Sequence, residues 1–194
     1  MAMMRTRVVM SLFLAGGLAN PGTAVVQSNP LPRLRVSDNA RFLVTEQGAA
    51  FFWLGDTAWH LFGKSVRADT TNQPAVSLYF SNRAAKGFTV IQSVIARTPE
   101  GGSSANAYGF EPFADGDWSR PRLRPGPNDD YWDHVDWCIA EAKRHQLHMA
   151  ALPMWLNDIA DDNPMVRGPR VAYRYGRFLG ARYGKEPHLI WVLG

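Results

Sequence analysis

Four short apolar runs, at 50–54, 88–91, 147–152 and 188–193, constrain this chain more than any other feature. Such unbroken hydrophobicity fits strands buried on both faces, because a strand with one wet face alternates apolar and polar residues. The segments between the runs carry helical spacing. Val76, Tyr79, Phe80 and Ala84 share one face, and Gly87 follows as a left-handed cap. Over 130–145, Trp132, Val135, Ile139 and Ala142 form a core stripe with Cys138 beside it, which makes that cysteine an inert core thiol. Asp129, Asp130 and Asp133 stand at the positive end of that helix, and Lys143, Arg144 and His145 near its negative end. A third helix carries Val171, Tyr175, Phe178 and Leu179 and stops near Gly184.

Strands alternating with helices predict an α/β fold, a parallel sheet with right-handed crossovers. A β-hairpin precedes it, from Arg41-Phe42-Leu43-Val44 through Glu46-Gln47-Gly48 into the first apolar run. An open nucleotide-binding sheet would show a glycine-rich turn after its first strand. Gly55-Asp56-Thr57-Ala58-Trp59-His60 stands there instead, with one glycine and no lysine to hold a phosphate. The expectation is therefore the N-terminal half, about four βα units, of a (β/α)8 barrel.

Residues 1–24 read as a secretory signal: a basic start with Arg5 and Arg7, an apolar run too short to span a bilayer, and Gly22-Thr23-Ala24 as a small-residue cleavage site. The domains expected are this leader, a linker over 25–34, and a partial catalytic domain over 35–194. The protein is then secreted or periplasmic, with no membrane attachment once the leader is gone. Two of the charges behind the net +4 belong to the leader, and the rest are scattered, so nucleic acid is not an expected partner. A single cysteine precludes an intrachain disulfide.

In α/β layouts ligands meet the carboxyl ends of the strands. The residues there are Asp56, Trp59 and His60 after strand one, Gln92 and Ser93 after strand two with Asn106 further along, and Trp155, Asn157 and Asp158 after strand three. Polar groups interleaved with indoles suit a sugar, whose hydroxyls need fixed partners and whose ring faces stack on aromatics. Each candidate has a plainer alternative: Asp56 as a helix cap, Gln92 as a buried amide, Trp155 as packing over the barrel mouth, His60 as local packing. The connection from about Ser93 to Asn128 holds Tyr108, Phe110, Phe113 and Trp118, which suggests an ordered, functional loop. No metal site emerges, since His145 and His148 straddle a helix end and a strand start with no third ligand, and no cofactor is implied.

Four stretches together carry a resemblance. Phe51-Phe52-Trp53-Leu54-Gly55-Asp56-Thr57-Ala58-Trp59 resembles the opening strand signature of the apiosidase-like glycoside hydrolases, glycoside hydrolase family 140, long filed as a domain of unknown function. Asn82-Arg83-Ala84-Ala85-Lys86-Gly87-Phe88-Thr89-Val90-Ile91-Gln92 is similar to that family's first helix and second strand, and Tyr131-Trp132-Asp133-His134-Val135-Asp136 and Ile190-Trp191-Val192-Leu193-Gly194 continue the match in order. The resemblance covers about residue 35 onward. After Phe62 the sequence departs from the pattern, with a longer link around Lys64 to Val76.

The resemblance implies a barrel acting on plant cell-wall or related glycans, with apiose released from a pectic side chain by members of known activity. Two carboxylates would do the work, about 5 Å apart if configuration is retained. The family's acid/base aspartate lies just beyond the motif ending at Gly194, and its partner on a much later strand. No catalytic residue is therefore expected within this chain, which reads as a truncated half-domain inactive alone. Its open sheet edges would favour self-association. The alternatives are a non-catalytic carbohydrate-binding module using Trp59, Trp155 and the aromatic loop, or a self-associating fragment without sugar affinity.

Overall fold

The computed structural model describes residues 31–68, 74–97, 104–155 and 168–193. The expected leader, and Asn157 and Asp158, lie outside the described residues.

A small antiparallel pair comes first, β1 (Leu34–Val36) against β2 (Leu43–Thr45). The turn at 46–48 forms as expected, closed by Gly48 N–H to the Thr45 carbonyl, and Val44 bridges Ala50 beyond it. The first strand of the main sheet, β3 (Gly55–Thr57), then starts later than the apolar run suggested. Phe52 is 75% exposed and Trp53 40%, so the run is not buried on both faces. Thr89 explains the displacement. Its hydroxyl donates to the Phe52 carbonyl and accepts from the Leu54 amide, while the Leu54 carbonyl takes the amides of Thr89 and Val90. Pairing with the sheet thus begins at Leu54. In the same bend the Trp53 ring lies over Gly55, where a Cβ would stand 2.9 Å from the indole nitrogen.

A single turn, α1 (Leu61–Lys64), follows β3, and the longer link that follows is closed at its base by Val66 paired with Ala75. Helix α2 (Val76–Ala85) buries Val76 and Phe80 and ends at Gly87, which takes φ +80° as its capping role predicts. The order continues as β4 (Val90–Val94), α3 (Tyr131–Arg144), β5 (His148–Leu152), α4 (Pro169–Tyr183) and β6 (Leu189–Trp191). The four strands of the main sheet pair in parallel in sequence order, β3-β4-β5-β6. Asp130, one of the acidic residues expected at the positive end of α3, caps it by accepting the Asp133 amide.

One core joins helices and sheet. Ile91, Met149 and Ala151 pack with Phe62, Phe80, Trp132, Val135, Cys138 and Ile139. Neighbours in a strand point to opposite faces, so Val90, Gln92, Val94, His148, Ala150 and Leu152 line the other face, toward the barrel axis. The chain ahead of β1 closes the amino end of the sheet. Pro32 accepts a hydrogen bond from His148 Nε2, Phe51 meets the His148 ring edge-on at 5.0 Å, and Leu31 is buried. Part of the expected linker is thereby packed against the domain.

Over 104–128 the long connection gives two of its aromatics to the core. Phe113 and Trp118 are buried, stack at 4.6 Å, and pack on Tyr175, with Phe113 also against Trp132. Trp132 Nε1 donates to the Pro112 carbonyl, and the Tyr175 hydroxyl to that of Pro153. The loop fills the space between α3 and α4, where each ring removes more apolar surface from water than it would at an open site. Between the same helices Arg182 grips Asp136 with two hydrogen bonds, at 2.8 and 2.7 Å.

Candidate functional site

The chain leaves β3, β4 and β5 on the same side of the sheet, and the residues following each strand converge there. Ala58 N–H bonds the Gln92 carbonyl, which keeps Trp59 and His60 against the end of β4. From β5, Pro153 and Met154 lead to Trp155, whose ring lies 4.7 Å from that of Trp59 at an angle of 58°. The two indoles therefore meet over the end of the intervening strand β4. Trp59 remains 39% exposed and Trp155 is partly buried, so the pair presents ring surface rather than vanishing into the core.

Beside the indoles, Arg97 Nη1 lies 3.2 Å from His60 Nε2. Arg97 was not singled out from sequence, because the second strand was read as ending near Ile91. The strand runs on to Val94, and Ile95 N–H still pairs with the Leu152 carbonyl, which carries position 97 to the mouth. Gln92 sits one layer below, in register with Thr57 and Ala150 and turned toward the axis. Its side-chain amide has no hydrogen-bond partner among the described residues. Trp59, His60, Gln92 and Trp155 are thus brought together, with Arg97 added.

Two other candidates are not part of this group. Asp56 pairs in register with Ile91, a residue of the helix-side core, so its carboxylate points between sheet and α2. There Oδ2 accepts from Arg83 Nε and, at 2.9 Å, from the Tyr79 hydroxyl, while Oδ1 accepts from the Thr57 amide. Burial pushes the carboxyl pKa up, but the hydrogen bonds from Arg83, Tyr79 and Thr57 outweigh it and hold the group below the ordinary carboxylate range. Arg83 also stacks on Tyr79, 4.8 Å from the ring centre. Asp56 is thus a strand-to-helix tie rather than a substrate contact. Tyr79 and Arg83, which complete it, were legible only as a helix face and part of a motif.

Asn106 likewise serves its own loop rather than the site. Its Oδ1 accepts the amides of Tyr108 and Phe110, and the residue is 5% exposed. An Asx side chain that mimics backbone in this way fixes a turn. Tyr108 is pinned in turn by the Arg67 amide, 2.7 Å from its hydroxyl, and by the His134 ring.

Cys138 is fully buried with His134 Nε2 3.6 Å from its sulfur. Burial drives the thiol pKa far above its usual range and depresses His134 to about 4, so this pair is a neutral core contact and not a nucleophile with its base. Among the described residues no group of three His, Cys, Asp or Glu side chains could hold a metal ion, and no helix is long and apolar enough to cross a membrane.

No curated protein matches the sequence. Among solved structures, a glycoside hydrolase family 5 protein from Bacteroides vulgatus ATCC 8482 is 30% identical, with a TM-score of 0.68 over 84% of this chain and 32% of its own. A second structure, described as a glycoside hydrolase, has the same identity and TM-score and is covered over 34% of its length. An endo-1,4-β-mannanase from Rhizomucor miehei is 10% identical, with a TM-score of 0.54 over 83% of this chain and 47% of its own, and shares the fold alone. The chain thus spans about a third of the length of the first two structures it matches, and its four strands are part of a (β/α)8 barrel. The model of the apiosidase-like catalytic domain matches residues 37–194, and the chain belongs to that family.

Proposed function

We propose that this chain forms one wall of the substrate cleft of a glycoside hydrolase acting on plant cell-wall side chains, the sugar being gripped by Trp59 and Trp155. The observation that carries this reading is the meeting of the two indoles over the end of β4, with Gln92, His60 and Arg97 beside them. Indole faces pack on the C–H faces of a pyranose or furanose ring, and a guanidinium, an imidazole and an amide supply donors and acceptors to its hydroxyls. Family membership supports a glycosidic bond as the target, and apiose on a pectic side chain as the sugar, by the family resemblance.

In this reading the residues of the chain bind and orient, while the carboxylate pair comes from other parts of the barrel. Asp56, the strand-end carboxylate ahead of Trp59, is committed to Arg83 and Tyr79 and takes no part in chemistry. Apiose-bearing pectic oligosaccharides should quench indole fluorescence on binding. Trp155→Ala should weaken that binding about fivefold, an aromatic contact being worth about 1 kcal/mol, and Asp56→Asn should leave it unchanged. Glycosidase activity that disappears in Asp56→Asn while the fold persists would overturn the assignment of chemistry elsewhere.

A further inference from the structure

Away from the mouth, the outer side of α4 and the loop at 119–121 enclose an open groove of about 640 Å³. Arg170, Arg174 and Arg177 line it at helical spacing, so three guanidiniums lie along about 10 Å of one helix face. None of the three makes a hydrogen bond or ion pair with the described residues. This sets them apart from Arg83 and Arg182, which are held by Asp56 and Asp136. Tyr173, 68% exposed, stands among them, Phe178 contributes an apolar floor, and Ser119 a hydroxyl on the opposite bank.

Among the described residues, no carboxylate forms an ion pair with Arg170, Arg174 or Arg177, and the two acidic groups near the groove are engaged within their own loop. Asp115 is paired with Arg120 at 3.1 Å. Asp117 accepts the Ser119 amide, a bond that with the Ser119 hydroxyl and the field of Arg120 and Arg174 keeps its carboxyl below the usual range.

We infer that this groove is a second carbohydrate site, separate from the mouth, which binds an anionic glycan chain bearing carboxylates, that is, a run of uronate sugars. Guanidiniums recognise carboxylates by paired hydrogen bonds, and the exposed tyrosine ring and apolar floor suit sugar ring faces. A phosphate backbone fits less well, because nucleic acid needs a basic surface extended along the strand and here the arginines are confined to one helix face. The inference rests on the carbohydrate reading of the protein, whose own site is the indole pair.

The test compares an oligogalacturonide with its fully methyl-esterified form by calorimetry at low and moderate salt. The acid form should bind, weaken as salt rises, and lose tenfold or more in affinity in Arg174→Gln/Arg177→Gln, with the ester binding little in either protein. Tyr173→Ala should weaken acid binding several-fold, and all these exposed changes should leave the melting temperature unchanged. Trp155→Ala should not affect oligogalacturonide binding, so loss of neutral-sugar binding at the mouth and loss of the groove are read separately. Equal affinity for acid and ester, unchanged binding in the double variant, or equally tight binding of a single-stranded polynucleotide would each overturn the inference.

Discussion

Asp56 holds three hydrogen bonds from Arg83, Tyr79 and the Thr57 amide, and its removal is felt first as lost stability. Because the pair is partly solvated, Asp56→Ala should cost only about 1 kcal/mol, measured by urea unfolding. Its carboxyl lies below the ordinary range in the folded chain, so its contribution is present above the unfolded-state value of 3.8 and fades as pH falls through the lower folded value. Cys138, with no exposed surface and a thiol pKa pushed far up, should resist a thiol reagent at pH 8 in the native state and react on unfolding. That inertness was readable from its place on the helix stripe. The direction of Asp56 was not. Alternation says only that strand neighbours face opposite ways; which face Asp56 takes is set by the register of β3 on β4, and the entry to that pairing is anchored by the Thr89 hydroxyl, thirty-odd residues away in sequence.

At the scale of elements, α3 is the keystone, with Trp132 fully buried against Phe113, Tyr175 and Phe178. Trp132→Ala should cost about 3–5 kcal/mol, the range for large core aromatics, and Asp130→Ala about 1 kcal/mol through the lost cap, both by chemical denaturation. The limits of α3 and β5 and the end of α4 were legible to within a residue or two, because apolar stripes, the acidic residues at the start of α3 and Gly184 mark them locally. The role of the 104–128 connection was not, since aromatic residues in a loop read alike whether they face a ligand or fill a gap between helices. Only the packing of Phe113 and Trp118 onto Tyr175, some sixty residues on, separates the two.

Across the whole molecule, three histidines are buried in neutral form: His134, His148 and His188 are each at most 1% exposed, with pKa values lowered by burial. The unfolded chain binds protons at these sites first, so stability is complete above pH 6.5 and falls as pH drops toward the folded values. For His134, which titrates near 4, the loss reaches about 3 kcal/mol. Unfolding midpoints measured from pH 7 to 4 should decline accordingly, and His134→Gln should flatten the decline. Parallel order and barrel kinship were written in the alternation of apolar runs and helical stripes. The mouth was only partly so, since Trp59 and Trp155 could be picked out as lying after strands but nothing local says that their rings meet. That meeting is the centre of the functional account, and a crystal structure with a neutral plant-wall oligosaccharide bound tests it directly. The account predicts a sugar ring seated against Trp59 and Trp155 above the end of β4, within hydrogen-bond reach of Gln92, His60 or Arg97; a sugar ordered elsewhere, with both indoles bare, would contradict it.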